Sequence, residues 1–289
     1  MVVASGALAG VGCASDRTQQ PAGRTLPPVQ HPVIAALAVT PSGTVRYGEL
    51  ASGEIRDRGS SRVLARVPVS HRGQRGLLGL AAADDGRTFT AATEPGGRLV
   101  VDRVLPVPRV RVWTGPPSVA LGNGGHLALL PSGQLVLGIG DHGHPSRIND
   151  PRSLDGKLVS LDPDGRATQT PRILSGGWHN PFAFDVTPGG HVIVADNAPG
   201  RLAERIGPGD RAGRRQRLSG PTAPSGLAVL SPTEVAVCGV VSGRLDRYRF
   251  RAGRWRKAGR IAGCRYGVAR LPSGALLVST DTGLQEVQP

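Results

Sequence analysis

The sequence predicts an all-β fold, a single six-bladed β-propeller over residues 30–289. Three observations predict it: evenly spread turn formers, one hairpin phrase that recurs six times, and a recurrence interval that matches one blade. Gly 42 and Pro 25 are distributed through the 289 residues between short Val/Leu/Ile/Ala stretches. At that density they break long helices, whereas short strands joined by tight turns require them.

The phrase is an apolar strand, a turn rich in Pro, Ser, Asp and Gly, and a second apolar strand. Its copies run Leu37–Leu50, Leu80–Thr93, Leu127–Asp141, Phe184–Asn197, Leu227–Val240 and Val268–Asp281. The turn positions Gly43, Gly86, Gly133, Gly190, Thr233 and Gly274 lie 41–57 residues apart. Four strands of about 5–6 residues with their loops need about 40–45 residues, the size of one blade. Arg98–Leu105, Gly156–Leu161 and Gly243–Phe250 follow their hairpins as outer strands. Only eight residues follow Asp281, so blade six is expected to lack its outer strand and to borrow one from near Val33–Ala38. A pair of β-sandwiches is the alternative, but it leaves six equal repeats unexplained.

Hydrophobic residues are 39% and charged residues 19%, and no apolar run approaches about 18 residues, which excludes a disordered chain and a multi-span membrane protein. The net charge is +14, and Lys157 and Lys257 are the only lysines. That charge attracts polyanions. With aromatic residues at 3% and no recognition helix or zinc-ligand spacing, an anionic cell-surface polymer is a better partner than nucleic acid.

Residues 1–29 are read as an export segment and linker. Met1–Gly12 is apolar and small-residue rich, and it runs into Cys13 and a polar stretch, like the back half of an export signal. Its Leu-Ala-Gly-Val-Gly-Cys end resembles a bacterial lipobox with Cys13 as the lipidated residue, although Gly10 stands where Leu is preferred. The expected location is extracytoplasmic, secreted or lipid-anchored; a disordered tail is the alternative. With Cys13 as an anchor, Cys238 and Cys264 either pair in an oxidising compartment or remain free thiols.

Propellers carry function on the loops at a channel mouth. The polar residues at the ends of the phrases are Gln74, Asn123, His126, Asp141, His142, His144, His179, Asn180, Asp196 and Asn197. Singly, each Asp or Asn is as well suited to satisfying loop backbone groups. Together they place four of the seven histidines beside two carboxylates.

Four ordered motifs sharpen this: Arg75-Gly-Leu-Leu-Gly-Leu-Ala81; Gly124-Gly-His-Leu-Ala128 with Gly138-Ile-Gly-Asp141; Gly156-Lys-Leu-Val-Ser-Leu-Asp-Pro-Asp-Gly165; and His179-Asn-Pro-Phe-Ala-Phe184. In order and spacing the set resembles the soluble glucose/sorbosone dehydrogenase family, covering about residues 72–200 and continuing more weakly to the end. The resemblance implies a six-bladed propeller that binds pyrroloquinoline quinone (PQQ) and Ca²⁺ at the channel mouth. Such a protein oxidises the C1 hydroxyl of an aldose sugar and passes electrons to an acceptor. It also implies that a His takes the hydroxyl proton, an Asp orients that His, and an Arg stabilises charge on the quinone.

Carried over by position, Gln74 would contact the cofactor, Asp141 would orient the base, Asn180 keeps its place, and Ala198 and Pro199 would offer carbonyls to Ca²⁺. The family's catalytic His falls on Gly122, and its cationic cofactor contacts fall on His179, Val241, Cys264 and Tyr266. His126, His142 and His179 are therefore candidates for a replacement base, and Arg265 for a replacement cation if the register differs by one. Two other functions stay open: a catalytically degenerate cell-surface propeller that binds carbohydrate or protein, and a lactone hydrolase with Asp141, Asn180 and Asp196 as metal ligands.

Overall fold

The computed structural model describes residues 32–289 apart from Arg201, Ala212, Gly220 and Pro221. The export segment and Cys13 lie outside the described residues. Each of the six phrases forms the two inner strands of a blade, because its apolar residues are buried on both faces between neighbouring blades. Blade 1 comprises β1 (Ile34–Val39), β2 (Val45–Glu49), β3 (Glu54–Asp57) and β4 (Val63–Arg66). Blade 2 comprises β5 (Leu77–Ala82), β6 (Thr88–Thr93), β7 (Arg98–Leu105) and β8 (Val110–Pro117). Blade 3 comprises β9 (Gly124–Leu129), β10 (Leu135–Ile139), β11 (Lys157–Leu161) and β12 (Arg172–Ser175).

Blade 4 comprises β13 (Ala183–Val186), β14 (Val192–Asp196), β15 (Arg205–Pro208) and β16 (Gln216–Arg217). Blade 5 comprises β17 (Pro224–Ser231), β18 (Glu234–Gly239), β19 (Arg244–Arg251) and β20 (Arg254–Gly263). Blade 6 comprises β21 (Gly267–Arg270), β22 (Leu276–Thr280) and β23 (Gly283–Val287). Every neighbouring pair within a blade is antiparallel, and a single 3-10 turn, Pro145–Arg147, is the only helical element among the described residues. No helix of the described residues is long and apolar enough to cross a membrane.

The six innermost strands β1, β5, β9, β13, β17 and β21 follow one another around the axis, and β1 meets β21 to close the ring. This corrects the expected strand exchange. β1 is the innermost strand of blade 1, and blade 6 has three strands among the described residues. The physical reason lies in burial: Ala36, Leu37 and Ala38 are buried, which an outer edge would expose, whereas no residue of the edge strand β23 is buried. Leu37 packs against Gly267 of blade 6, so β1 seals the ring by side contact instead of by a shared sheet.

The core is a series of apolar layers between blades. Leu135, Leu137 and Ile139 of β10 join Phe89, Leu99 and Trp113 of blade 2 in the largest cluster. In blade 5, Cys238 on β18 and Cys264 after β20 form a disulfide across 26 residues of chain, settling the pairing that the sequence left open. Closing a loop of that length restricts the unfolded chain and stabilises the fold by about 3 kcal/mol. The double variant Cys238→Ser/Cys264→Ser is therefore expected to lose about that much stability in urea unfolding, and a reductant is expected to lower the midpoint of the parent chain alone. Equal midpoints for parent and variant under oxidising conditions would contradict the assignment.

Candidate functional site

All six blades bring the same two points of the repeat to one end of the channel: the start of the first strand and the end of the second. There they enclose a cavity of about 360 Å³. Its apolar lining comes from Val33, Ala35, Leu78, Phe182, Pro224 and Val240, and its polar groups are His71, Gln74, Asn123, Asn180, Asn197, Ser225 and Tyr266. The expected mouth is thus assembled, with Gln74, Asn123, Asn180 and Asn197 in it.

Backbone contacts fix most of these amides. Asn123 clamps Val119, accepting from its N–H (2.7 Å) and donating to its carbonyl (2.8 Å). Asn180 accepts from Gly124 N–H at 2.9 Å, tying the loop before β13 to the start of β9. Gln74 accepts from Gly122 N–H at 3.0 Å, and its Nε2 has no protein partner among the described residues. The Asn197 side chain likewise has none.

Asp141 and His179 meet next to the mouth: neither lines the cavity itself, and His179 adjoins the lining residue Asn180 in sequence. The loop after β10 and the loop before β13 are linked twice: Asp141 N–H donates to the His179 carbonyl at 2.7 Å, and Asp141 Oδ2 lies 3.0 Å from His179 Nδ1. Both residues are buried. The carboxylate accepts a hydrogen bond from Nδ1–H, which leaves Nε2 as the lone-pair nitrogen of the neutral ring. The other oxygen, Oδ1, accepts from Gly143 N–H at 3.0 Å. Gly122 has φ +75°, and a Cβ there would stand 3.4 Å from that Oδ1. A His at position 122 would therefore compete for the carboxylate that His179 holds here.

The loop carrying His179 is over-determined by residues that sequence reasoning only partly reached. Asp196, fully buried, accepts from His179 N–H (2.9 and 3.1 Å) and Asn180 N–H (2.9 Å), and pairs with Arg205 at 2.7 Å. Arg205 and Arg215 both donate to the Gly177 carbonyl, and Arg215 stacks 3.5 Å from the centre of the Trp178 ring. Nothing in the pattern of residues 201–217 announced these two arginines. Lys157, inside a quoted motif, is buried and donates to the carbonyls of Ile148 (2.6 Å) and Asp155 (2.8 Å), a role its motif position signalled but did not define.

The other candidates are placed away from this dyad. His142 has φ +49° and bonds Asp155 at 2.9 Å, with its Nε2 buried and unpartnered, so it turns away from Asp141. His126 is wedged between Phe182 and the edge-on ring of Phe184, 4.6 Å between centroids, and burial pushes its pKa down to about 4. It is a neutral packing element between blades, not a base at the mouth. His144 is exposed. Arg265 is held by Asp281 at 2.7 Å and by the Val240 carbonyl at 3.1 Å, outside the cavity lining. Tyr266 does line the cavity, and burial together with its 2.6 Å bond to Asp281 pushes its phenol well above the ordinary range.

These residues do not fit the implied tricarboxylate cofactor. Among the described residues no lysine or arginine lines the cavity. Three carboxylates would be desolvated there without a cationic partner, and each missing charge-assisted bond is worth about 1.5–3 kcal/mol. The calcium position gains no support either: Ala198 and Pro199 lie outside the lining, and the Pro199 carbonyl already accepts from Leu202 N–H at 3.2 Å. Among the described residues no group of three His, Cys, Asp or Glu is arranged to hold a metal ion. Asp196 serves backbone amides and Arg205, which leaves the lactonase ligand set without one of its members.

No protein-family model and no curated protein sequence matches the chain. Solved structures do. A glucose dehydrogenase from Thermus thermophilus is 25% identical, with 87% of this chain and 92% of that chain covered and a TM-score of 0.70. The PQQ-bound aldose sugar dehydrogenase of Streptomyces coelicolor is 19% identical (90% and 97% covered, TM-score 0.71). The soluble aldose sugar dehydrogenase of Escherichia coli in its apo form is 20% identical (89% and 95% covered, TM-score 0.73). The resemblance carried by the four motifs thus extends to the fold of nearly the whole chain.

The packing of His126 has a measurable consequence. An unfolded chain protonates this His near pH 6.5, whereas the folded chain holds it neutral down to about pH 4. The unfolded state therefore binds more protons in that window, and stability contributed by this site is lost as the pH falls from about 6.5 to about 4. His126→Leu is expected to flatten that part of the stability profile in urea unfolding at stepped pH; a difference between parent and variant that is constant with pH would refute the assignment.

Proposed function

We propose that this chain is an extracytoplasmic propeller descended with the glucose/sorbosone dehydrogenases, and that its channel mouth receives an aldose sugar and holds one of its hydroxyls on His179. The Asp141–His179 dyad beside Gly122 carries this reading. With Nδ1–H committed to Asp141, His179 Nε2 accepts a hydrogen bond from a ligand hydroxyl. The free Nε2 of Gln74 and the unpartnered amide of Asn197 in a mixed apolar and polar lining match a neutral polyhydroxyl ligand better than a polyanion. The Cys238–Cys264 disulfide supports an oxidising, extracytoplasmic compartment.

A second reading, oxidation of the C1 hydroxyl with PQQ and Ca²⁺, is favoured by the fold shared with the PQQ-bound Streptomyces coelicolor enzyme and by Gln74, Asp141 and Asn180 at matching motif positions. One experiment separates them: calorimetric titration of the full chain with a panel of aldoses and, separately, with PQQ with and without Ca²⁺, followed by a dye-reduction assay. We expect sugar binding without PQQ, weakened about tenfold or more, about 1.4 kcal/mol, in His179→Ala, and no micromolar PQQ complex. Calcium-dependent PQQ binding with sugar-dependent dye reduction would establish the second reading, and absence of sugar binding would overturn the first.

A further inference from the structure

The strongest unexplained charge lies at the rim of blade 5. β19 and β20 form a hairpin around Ala252-Gly253, in register so that Arg251 faces Arg254 and Arg249 faces Arg256 directly across the strands. Like charges in that position repel and destabilise a sheet. With Arg247, these four stand on one face of the hairpin. Glu234 on β18 is the single carboxylate that reaches the row, pairing with Arg247 (3.3 Å) and Arg249 (3.2 Å). Arg251, Arg254 and Arg256 are exposed and have no partner among the described residues.

Charge on an edge strand ordinarily serves to block edge-to-edge aggregation, but other blades do this with less. Arg66 on β4 pairs with Glu54, Arg111 on β8 pairs with Glu94 and Asp102, and β23 carries no arginine. Among the described residues only blade 5 carries unpaired guanidinium groups on both of its two outermost strands. The hairpin is also tethered to blade 4 at Gln216, which accepts from Trp255 N–H and reaches the Gly253 carbonyl.

We propose that this arginine row is a docking surface for a linear phosphodiester polymer with short polyol spacers, of the kind that suits a cell-envelope polyanion. Alternate residues of a strand are about 7 Å apart, so the row presents guanidinium forks at an interval that successive phosphates of such a chain match, and each fork takes phosphate bidentately. Nucleic acid fits less well, because the aromatic partners Phe250 and Trp255 lie on the opposite face, 5.3 Å apart, with Trp255 packed toward blade 4, and offer the row no ring for base stacking. A lipid surface also fits less well, because the row carries no apolar side chain to enter it.

The test is binding of poly(glycerol phosphate) to the full chain across a salt series, with oligo(dT) and phosphatidylglycerol vesicles as parallel ligands. The comparison variants are Arg251→Ser/Arg254→Ser/Arg256→Ser and a control with the same charge change elsewhere, Arg62→Ser/Arg98→Ser/Arg152→Ser. We expect salt-sensitive binding of the polymer that falls at least tenfold in the blade 5 variant and less than threefold in the control, with the blade 5 variant at least as stable as the parent because the opposed charges are gone. Equal losses in both variants, no binding, or tighter binding of oligo(dT) or vesicles than of the polymer would each overturn the proposal.

Discussion

The close approach of adjacent blades at their innermost strands is the constraint on which the rest of this molecule depends. A Cβ at Gly79 on β5 would collide with the Gly125 carbonyl and Leu127 of β9, and one at Gly138 on β10 would collide with the Pro181 carbonyl before β13. Backbone thus lies against backbone where blades 2, 3 and 4 meet. This lets six small sheets share apolar layers between their inner strands. A close-packed interior of that kind passes any local displacement to its neighbours, and the loops at the mouth inherit the precision of the ring.

The His179 loop illustrates how that precision is extended into a polar site. A fully buried carboxylate is costly unless it is paired and hydrogen-bonded. Asp196 meets both conditions through two backbone amides and Arg205. The guanidinium of Arg215 adds a second clamp by lying flat on buried Trp178. As a result Asp141 holds His179 twice, by its N–H on the His179 carbonyl and by its carboxylate on the imidazole. In this chain the carboxylate that the motif pattern assigns to a His at position 122 serves a His from the next blade.

Charge is distributed with equal consistency. The chain carries +14, yet the described lining of the mouth holds no lysine or arginine. Arginines gather most densely on the outer two strands of blade 5. A propeller in which positive charge has left the channel and gathered at the rim suits a neutral ligand inside and a polyanion outside.

The sequence by itself determined the all-β class, the number of blades and the identity of the inner strands, because burial on both faces leaves an apolar phrase with a turn at its centre that repeats once per blade. It also located the mouth, since the phrase ends are where a blade turns. It misread the closure: β1 looked like a spare outer strand only because its partner across the ring, β21, is more than two hundred residues away. Tertiary structure alone decided which histidine is held by Asp141, that His126 is packing and His142 belongs to Asp155, and that Gln216 ties blade 4 to the blade 5 hairpin. These outcomes depend on contacts between blades, and a contact between distant segments leaves no periodicity in either of them.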